Sequence, residues 1–141
     1  MSDKFFLDTN IFVYSFDQSA PQKAARAEQL IRTALASQQG VISYQVVQEF
    51  LNVALKRFAQ PMHAADATLY LGTVFRPMLR VHSSAALFAQ ALGLHGEHGL
   101  SWYDALIVAA ALEAGCTRLY SEDLQHGRRF GGLRIENPFL S

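Results

Sequence analysis

Cysteine is almost missing from this chain: Cys116 is the only one in 141 residues. That excludes an internal disulfide framework and a cysteine-ligated zinc cluster, and it fits a reducing, cytoplasmic compartment. An excess of either charge is missing as well, because 12 basic and 12 acidic residues cancel. A broadly basic nucleic-acid clamp is thereby excluded, and any anionic substrate must be held by local charge or by a metal ion. Long apolar runs are also lacking. The longest, residues 105–112, falls far short of a membrane span. Near the N-terminus, Asp8 and Asn10 interrupt the one apolar stretch, so no signal peptide is expected. Repeats, low-complexity tracts and linkers do not occur, which predicts a single domain over 1–141. With half its residues hydrophobic and 17% charged, the chain should pack a core rather than remain disordered.

What is present begins with Phe5-Phe6-Leu7-Asp8-Thr9-Asn10, followed by Ile11-Phe12-Val13-Tyr14. A short continuous apolar segment predicts a strand buried on both faces, with Asp8 at its end. Ser19-Ala20-Pro21-Gln22 has capping-box spacing with proline at the first helical position, and predicts a helix with Ala24, Ala27, Leu30, Ile31, Ala34 and Leu35 inward that ends before Gly40. Val41-Ile42 predicts a brief strand, and Ser43 caps a helix from about Tyr44 to Phe58. Glu49 falls on or beside its apolar stripe. Pro61 is expected to open another helix, which stops before Pro77, and Met78–Val81 reads as a strand. Ser83 or Ser84 caps a helix with Leu87, Phe88, Ala91, Leu92 and Leu94 inward, ended by the Gly96–Gly99 loop. Ser101-Trp102-Tyr103-Asp104 is a second capping box. The helix behind it, Ala105–Leu112, is apolar on nearly every side, so it should lie centrally and end at Gly115. Arg118–Ser121 and Leu133–Glu136 read as the last strands. Strands alternating with helices predict an α/β sandwich around a mainly parallel sheet.

In such sheets the ligand crevice lies outside the carboxyl ends of the strands. Four carboxylates in separate elements can meet there: Asp8, Glu49, Asp104 and Asp123. Each also has a plain structural reading. Asp8 can cap the next turn through the N–H of Asn10 or Ile11, Glu49 can reach solvent from a helix edge, Asp104 can serve only its capping box, and Glu122 and Asp123 can be turn residues. Two carboxylates about 5 Å apart repel by roughly 3 kcal/mol at an effective dielectric of about 20. Six such pairs would approach ~20 kcal/mol, above the ~5–15 kcal/mol stability of a typical domain. Protons or divalent cations must offset that. An oxygen-only donor set selects hard ions, Mg²⁺ or Mn²⁺, whose chemistry on a phosphodiester is metal-assisted hydrolysis.

The five histidines, His63, His82, His95, His98 and His126, show no zinc-ligand spacing. Arg128, Arg129 and Arg134 form the densest basic group and can contact RNA phosphates or act as surface arginines. Tyr14, Phe16, Tyr44, Trp102 and Tyr103 can stack bases or pack in the core or a dimer interface.

Phe6-Leu7-Asp8-Thr9-Asn10, Glu49 on a mid-chain helix, Trp102-Tyr103-Asp104-Ala105 and Leu119-Tyr120-Ser121-Glu122-Asp123-Leu124 together resemble a PIN domain. The closing Phe130–Phe139 stretch resembles that of PIN proteins of the VapC toxin type. The resemblance spans essentially the whole chain. It implies a Rossmann-like α/β/α fold, a metal-dependent ribonuclease active on RNA, a homodimer and a cognate antitoxin partner. Asp8, Glu49, Asp104 and Asp123 match the family's acidic quartet; Thr9, Asn10 and Ser121 match the polar residues that orient it. Spacing to Ser121 favours Asp123 over Glu122 as the fourth acid. The aromatic residue that often follows that aspartate is replaced here by Leu124-Gln125-His126-Gly127. Two other readings compete. One is a non-catalytic module of the same fold. The other is an aspartyl-phosphate protein with Asp8 as nucleophile or acceptor. A haloacid-type phosphatase wants an aspartate where Asn10 stands, and a receiver domain wants a late lysine, whereas no lysine follows Lys56.

Overall fold

The computed structural model describes residues 3–140; Met1, Ser2 and Ser141, at the ends of the expected domain, lie outside the described residues. Strand β1 (Phe5–Leu7) is buried throughout, as its unbroken apolar sequence requires. It is joined by β2 (Gly40–Ser43), β3 (Leu79–Val81), β4 (Arg118–Tyr120), β5 (Arg129–Phe130) and β6 (Leu133–Glu136) in one sheet of order β3-β2-β1-β4-β6-β5. All neighbours run parallel except β5, which pairs antiparallel with β6. The strand order reverses at β1, between β2 on one side and β4 on the other, and this is where an open α/β sheet forms its crevice.

Helices α1 (Thr9–Tyr14), α2 (Pro21–Ser37), α3 (Tyr44–Lys56), α4 (Ala64–Tyr70), α5 (Arg76–Met78), α6 (Ala85–His98) and α7 (Trp102–Glu113) fill the connections. Among them α7 buries Ala105 through Ala111, packed on α6 and against β2 and β4, so its all-round apolar sequence is explained by its central place. Gly115 follows it at φ +74°, a left-handed turn that glycine makes without a Cβ clash. No helix among the described residues is long and apolar enough to cross a membrane.

Several local expectations are corrected. Helix α2 starts at Pro21 as expected, but Ser19 does not cap it: the N-cap is Ala20, and the Ser19 hydroxyl turns back to Asp17 Oδ1 at 2.5 Å. Pro61 opens no helix, since α4 begins after an extended His63. The chain does not stop before Pro77. It widens into a π-helical turn, Leu71–Phe75, and continues as α5, the wider turn accommodating a residue that cannot donate an N–H. Helix α3 ends at Lys56, short of Phe58. Helix α6 is capped by Ser84 and runs through Gly96 to Gly99; it buries Leu87 and Ala91 but leaves Phe88 and Leu92 exposed. The two-residue strand β5, turned onto β6 by Gly131 and Gly132, and helix α1 directly behind Asp8 are additions to the expected elements.

The core is aromatic on one flank, where Phe12, Phe50, Tyr70 and Phe75 pack with ring centroids 5.0–6.5 Å apart. Cys116 is buried, and burial pushes its thiol up to about 12, so it acts as a small inert hydrophobe.

Candidate active site

At the carboxyl ends of β1 and β4 the backbone delivers Asp8 and Ser121 side by side. Asp8 is 6% exposed and Ser121 is fully buried. Asp8 is the N-cap of α1 and accepts from Thr9 N at 2.7 Å, rather than from Asn10 or Ile11. Its other oxygen accepts from Ser121 Oγ at 2.8 Å, so one carboxylate both caps a helix and ties two strand ends together. Thr9 Oγ1 donates to Glu49 Oε1 at 2.7 Å, joining α1 to α3. Asn10 Nδ2 donates to Asp123 Oδ2 at 3.1 Å, and Ser121 Oγ accepts from Asp123 N at 3.2 Å. Asp104 heads α7, where Ser101 Oγ accepts from its N–H at 3.2 Å.

Asp8, Glu49, Asp104 and Asp123 thus line one open cavity of about 180 Å³, together with Thr9, Asn10, Gln45, Val53, Tyr103 and Ile107. Burial is the main cause that pushes Asp8 from its ordinary 3.8 up to about 7; the bonds from Ser121 and Thr9 pull the other way, and the charges of Asp123 and Glu49 add to the rise. Burial also raises Asp123, followed by the charges of Asp104, Glu122 and Glu49. The carboxylates therefore sense one another, and no arginine or lysine lines the cavity to neutralise them.

Glu122 stands elsewhere. Its carboxylate takes a 2.7 Å ion pair from Lys23 Nζ and a 2.7 Å hydrogen bond from Tyr14 Oη. Burial pushes it up, but the bonds from Lys23 and Tyr14 outweigh that and hold it below the usual glutamate value. Of the two adjacent acids, only Asp123 lines the cavity. Arg128 lies over the Phe130 ring at 4.8 Å, while Arg129 and Arg134 face each other across the β5–β6 ladder at the sheet edge. None of the three lines the cavity. His126 Nδ1 accepts from Asn137 N at 3.0 Å. Gln45, whose Nε2 donates to Tyr103 O at 3.2 Å, is a cavity residue that the sequence did not single out; its only signal was a place one turn before Glu49 on α3.

Among the described residues no three carboxylate, histidine or cysteine groups stand close enough to ligate one ion together. The donor chemistry nevertheless fits a hard divalent cation. The acids supply only oxygen, two of them are raised by burial and by one another's charge, and Mg²⁺ needs just one or two carboxylates when water completes its shell.

The PIN domain family model matches residues 5–129, and the chain belongs to that family. No curated protein matches it. Among solved structures it is similar to a toxin–antitoxin complex from Klebsiella pneumoniae, with 21% identity and a TM-score of 0.67 over 96% of this chain and 98% of that one. It is also similar to VapC20 from Mycobacterium tuberculosis, described as a Sarcin-Ricin loop cleaving toxin, with 24% identity and a TM-score of 0.63 over 85% and 90%. A third is VapBC2 from Rickettsia felis bound to a promoter DNA fragment, with 20% identity and a TM-score of 0.62 over 94% and 97%. At these identities the likeness is one of fold.

Proposed function

We propose that this chain is a divalent-metal-dependent endoribonuclease that hydrolyses RNA phosphodiester bonds, and that it is the toxin of a type II toxin–antitoxin pair. The observation that carries the reading is the lining of one cavity by Asp8, Glu49, Asp104 and Asp123 without a cationic side chain among them. Family membership and similarity to a toxin described as cleaving the Sarcin-Ricin loop support it.

Asp8, Asp104, Asp123 and Glu49 are the acids that would hold Mg²⁺ or Mn²⁺, with one or two carboxylates to an ion and water completing its shell. When bound, such an ion lowers the pKa of a coordinated water, orients the phosphodiester and stabilises charge on the leaving oxygen. The remaining work falls to the protein. Ser121 and the Thr9 N–H favour the ionised form of Asp8, the form that ligates. Thr9 Oγ1 fixes Glu49, and the Asn10 amide fixes Asp123. The open side of the cavity admits the RNA backbone. Arg129 and Arg134, at the outer hairpin, would meet only flanking phosphates.

A cognate antitoxin and a second copy of the chain are the proposed partners, and the cytoplasm the proposed compartment. Similarity to toxin–antitoxin complexes supports the antitoxin, and exposed Phe16, Leu55, Leu69 and Leu71 provide apolar surface for a protein partner. Cleavage of mixed RNAs should require Mn²⁺ or Mg²⁺ and stop in EDTA. Asp8→Asn and Asp104→Asn should each abolish it while the circular dichroism of the fold is kept; cleavage retained in both variants rejects the site. A small antitoxin reading frame beside the gene tests the biological role.

A further inference from the structure

Next to the acidic cavity is a second, larger one of about 310 Å³, within the size range of small-molecule pockets. Gln45 and Tyr103 line both, and their 3.2 Å hydrogen bond forms part of the wall between them. Tyr44, Phe88 and Trp102 supply aromatic walls, and Phe88 and Trp102 stand 6.1 Å apart, tilted at 54°. Ser43, at the end of β2, also lines this cavity. Its residue is 3% exposed, and its hydroxyl is the one buried side-chain oxygen among the described residues with no hydrogen-bond partner. Although Ser43 is the N-cap of α3, its side chain makes no capping bond. The exposed Gln48, one turn farther along α3, adds an amide with both donors and an acceptor.

We infer that this cavity binds one unstacked nucleobase of the substrate strand, next to the phosphate presented to the acids. The inference rests on the nuclease reading and specifies how that site takes its substrate. Single-stranded RNA is recognised by splaying bases onto aromatic faces and hydrogen-bonding their edges. A cavity with aromatic walls, an unsatisfied hydroxyl and an adaptable amide offers both. Phosphate and base of one nucleotide are joined through a single ribose, so a base site must lie within one nucleotide's reach of the site that holds the phosphate, as adjoining cavities with a shared wall do. This one does.

Trp102 is the only tryptophan, so its fluorescence reports on this cavity. In EDTA, the intact chain titrated with each of the four nucleoside 5′-monophosphates should show saturable quenching, with one base preferred. Ser43→Ala should weaken binding about fivefold and Phe88→Ala about tenfold or more, the ranges for one hydrogen bond and one stacked ring. Asp8→Asn should not weaken the quenching, since it removes only a negative charge near the phosphate. Absence of saturable quenching, or affinities unchanged in both pocket variants, overturns the inference. So does a dimer in sedimentation velocity that Phe88→Asp dissociates and that no nucleotide perturbs, which would assign the surface to a second copy. Metal-dependent cleavage without quenching sinks only the base site, whereas quenching without cleavage sinks only the nuclease reading.

Discussion

Ser121 Oγ lies 2.8 Å from Asp8 Oδ2 and donates its proton there, linking the ends of adjacent strands β4 and β1 inside the protein. The bond favours the ionised carboxylate at a position where burial disfavours it. Ser121→Ala removes that support, so Asp8 should ionise at still higher pH. The acidic limb of the pH–rate profile should move upward, and apparent Mn²⁺ affinity should fall by about 10–100-fold, as for other supporting partners of metal-holding groups. Ser121→Thr keeps the hydroxyl and should restore much of both. An unmoved pH limb in the alanine variant would show that Ser121 is only a packing residue.

Raised acids have a cost that is visible without catalysis. Unfolded, Asp8 should titrate near 3.8; folded, it titrates near 7. Between those values the folded state binds more protons than the unfolded state, so stability falls as pH rises through the window. The shift corresponds to on the order of 4 kcal/mol once the pH is above 7. In EDTA, Asp8→Asn should therefore melt several degrees above the wild type at pH 8, with the gap closing toward pH 4. Mn²⁺ at pH 8 should stabilise the wild type and not the variant. A melting difference that stays constant from pH 4 to pH 8 would contradict the assigned burial and repulsion.

Glu122 and Asp123 are neighbours with separate tasks. Asp123 faces the acidic cavity, while Glu122 is bound by Lys23 and Tyr14. Asp123→Asn should abolish metal-dependent cleavage and leave thermal stability in EDTA unchanged or raised. Glu122→Gln should lower the melting temperature slightly and keep cleavage, since the ion pair it loses is only partly buried and lies outside the cavity. The reverse pattern of activity would move the fourth acid to Glu122.

Much of this arrangement is written locally. Strands β1 and β2 follow from short apolar runs and β6 from the alternation of Leu133 and Ile135 with Arg134 and Glu136, and the acids stand out because each is charged where the pattern expects none. What escaped the sequence depends on long-range contacts. Residues Asp8-Thr9-Asn10 read as a turn, yet α1 begins there because Asp8 caps it while also bonding to Ser121, 113 residues away. Helix α6 is apolar nearly all round, so its period does not say which side is buried; packing on α7 selects Leu87 and Ala91 over Phe88 and Leu92. Strand β5 has two residues, too few for any alternation, and exists only through pairing with β6. Of the two adjacent acids only Asp123 lines the cavity, and Arg129 and Arg134, close in sequence, are carried away to the sheet edge.

Gly40, the first residue of β2, tests the packing beneath the site without touching its chemistry. A Cβ there would overlap the Ala34 Cβ on α2 and crowd Met78 Sδ to 3.2 Å. Its backbone is not left-handed, so close approach rather than conformational freedom demands glycine. Neither obstacle on the Ala34 side is the end of a flexible chain, and relief requires α2 to shift from β2. Gly40→Ala should cost about 1–3 kcal/mol, the usual range for overpacking a core, and lower the melting temperature by several degrees. Below its melting transition the variant should keep metal-dependent cleavage, because Asp8, Asp104 and Asp123 are placed by β1, α7 and the loop after β4 rather than by α2. A melting temperature at or above the wild type would mean that α2 and β2 are not packed this closely.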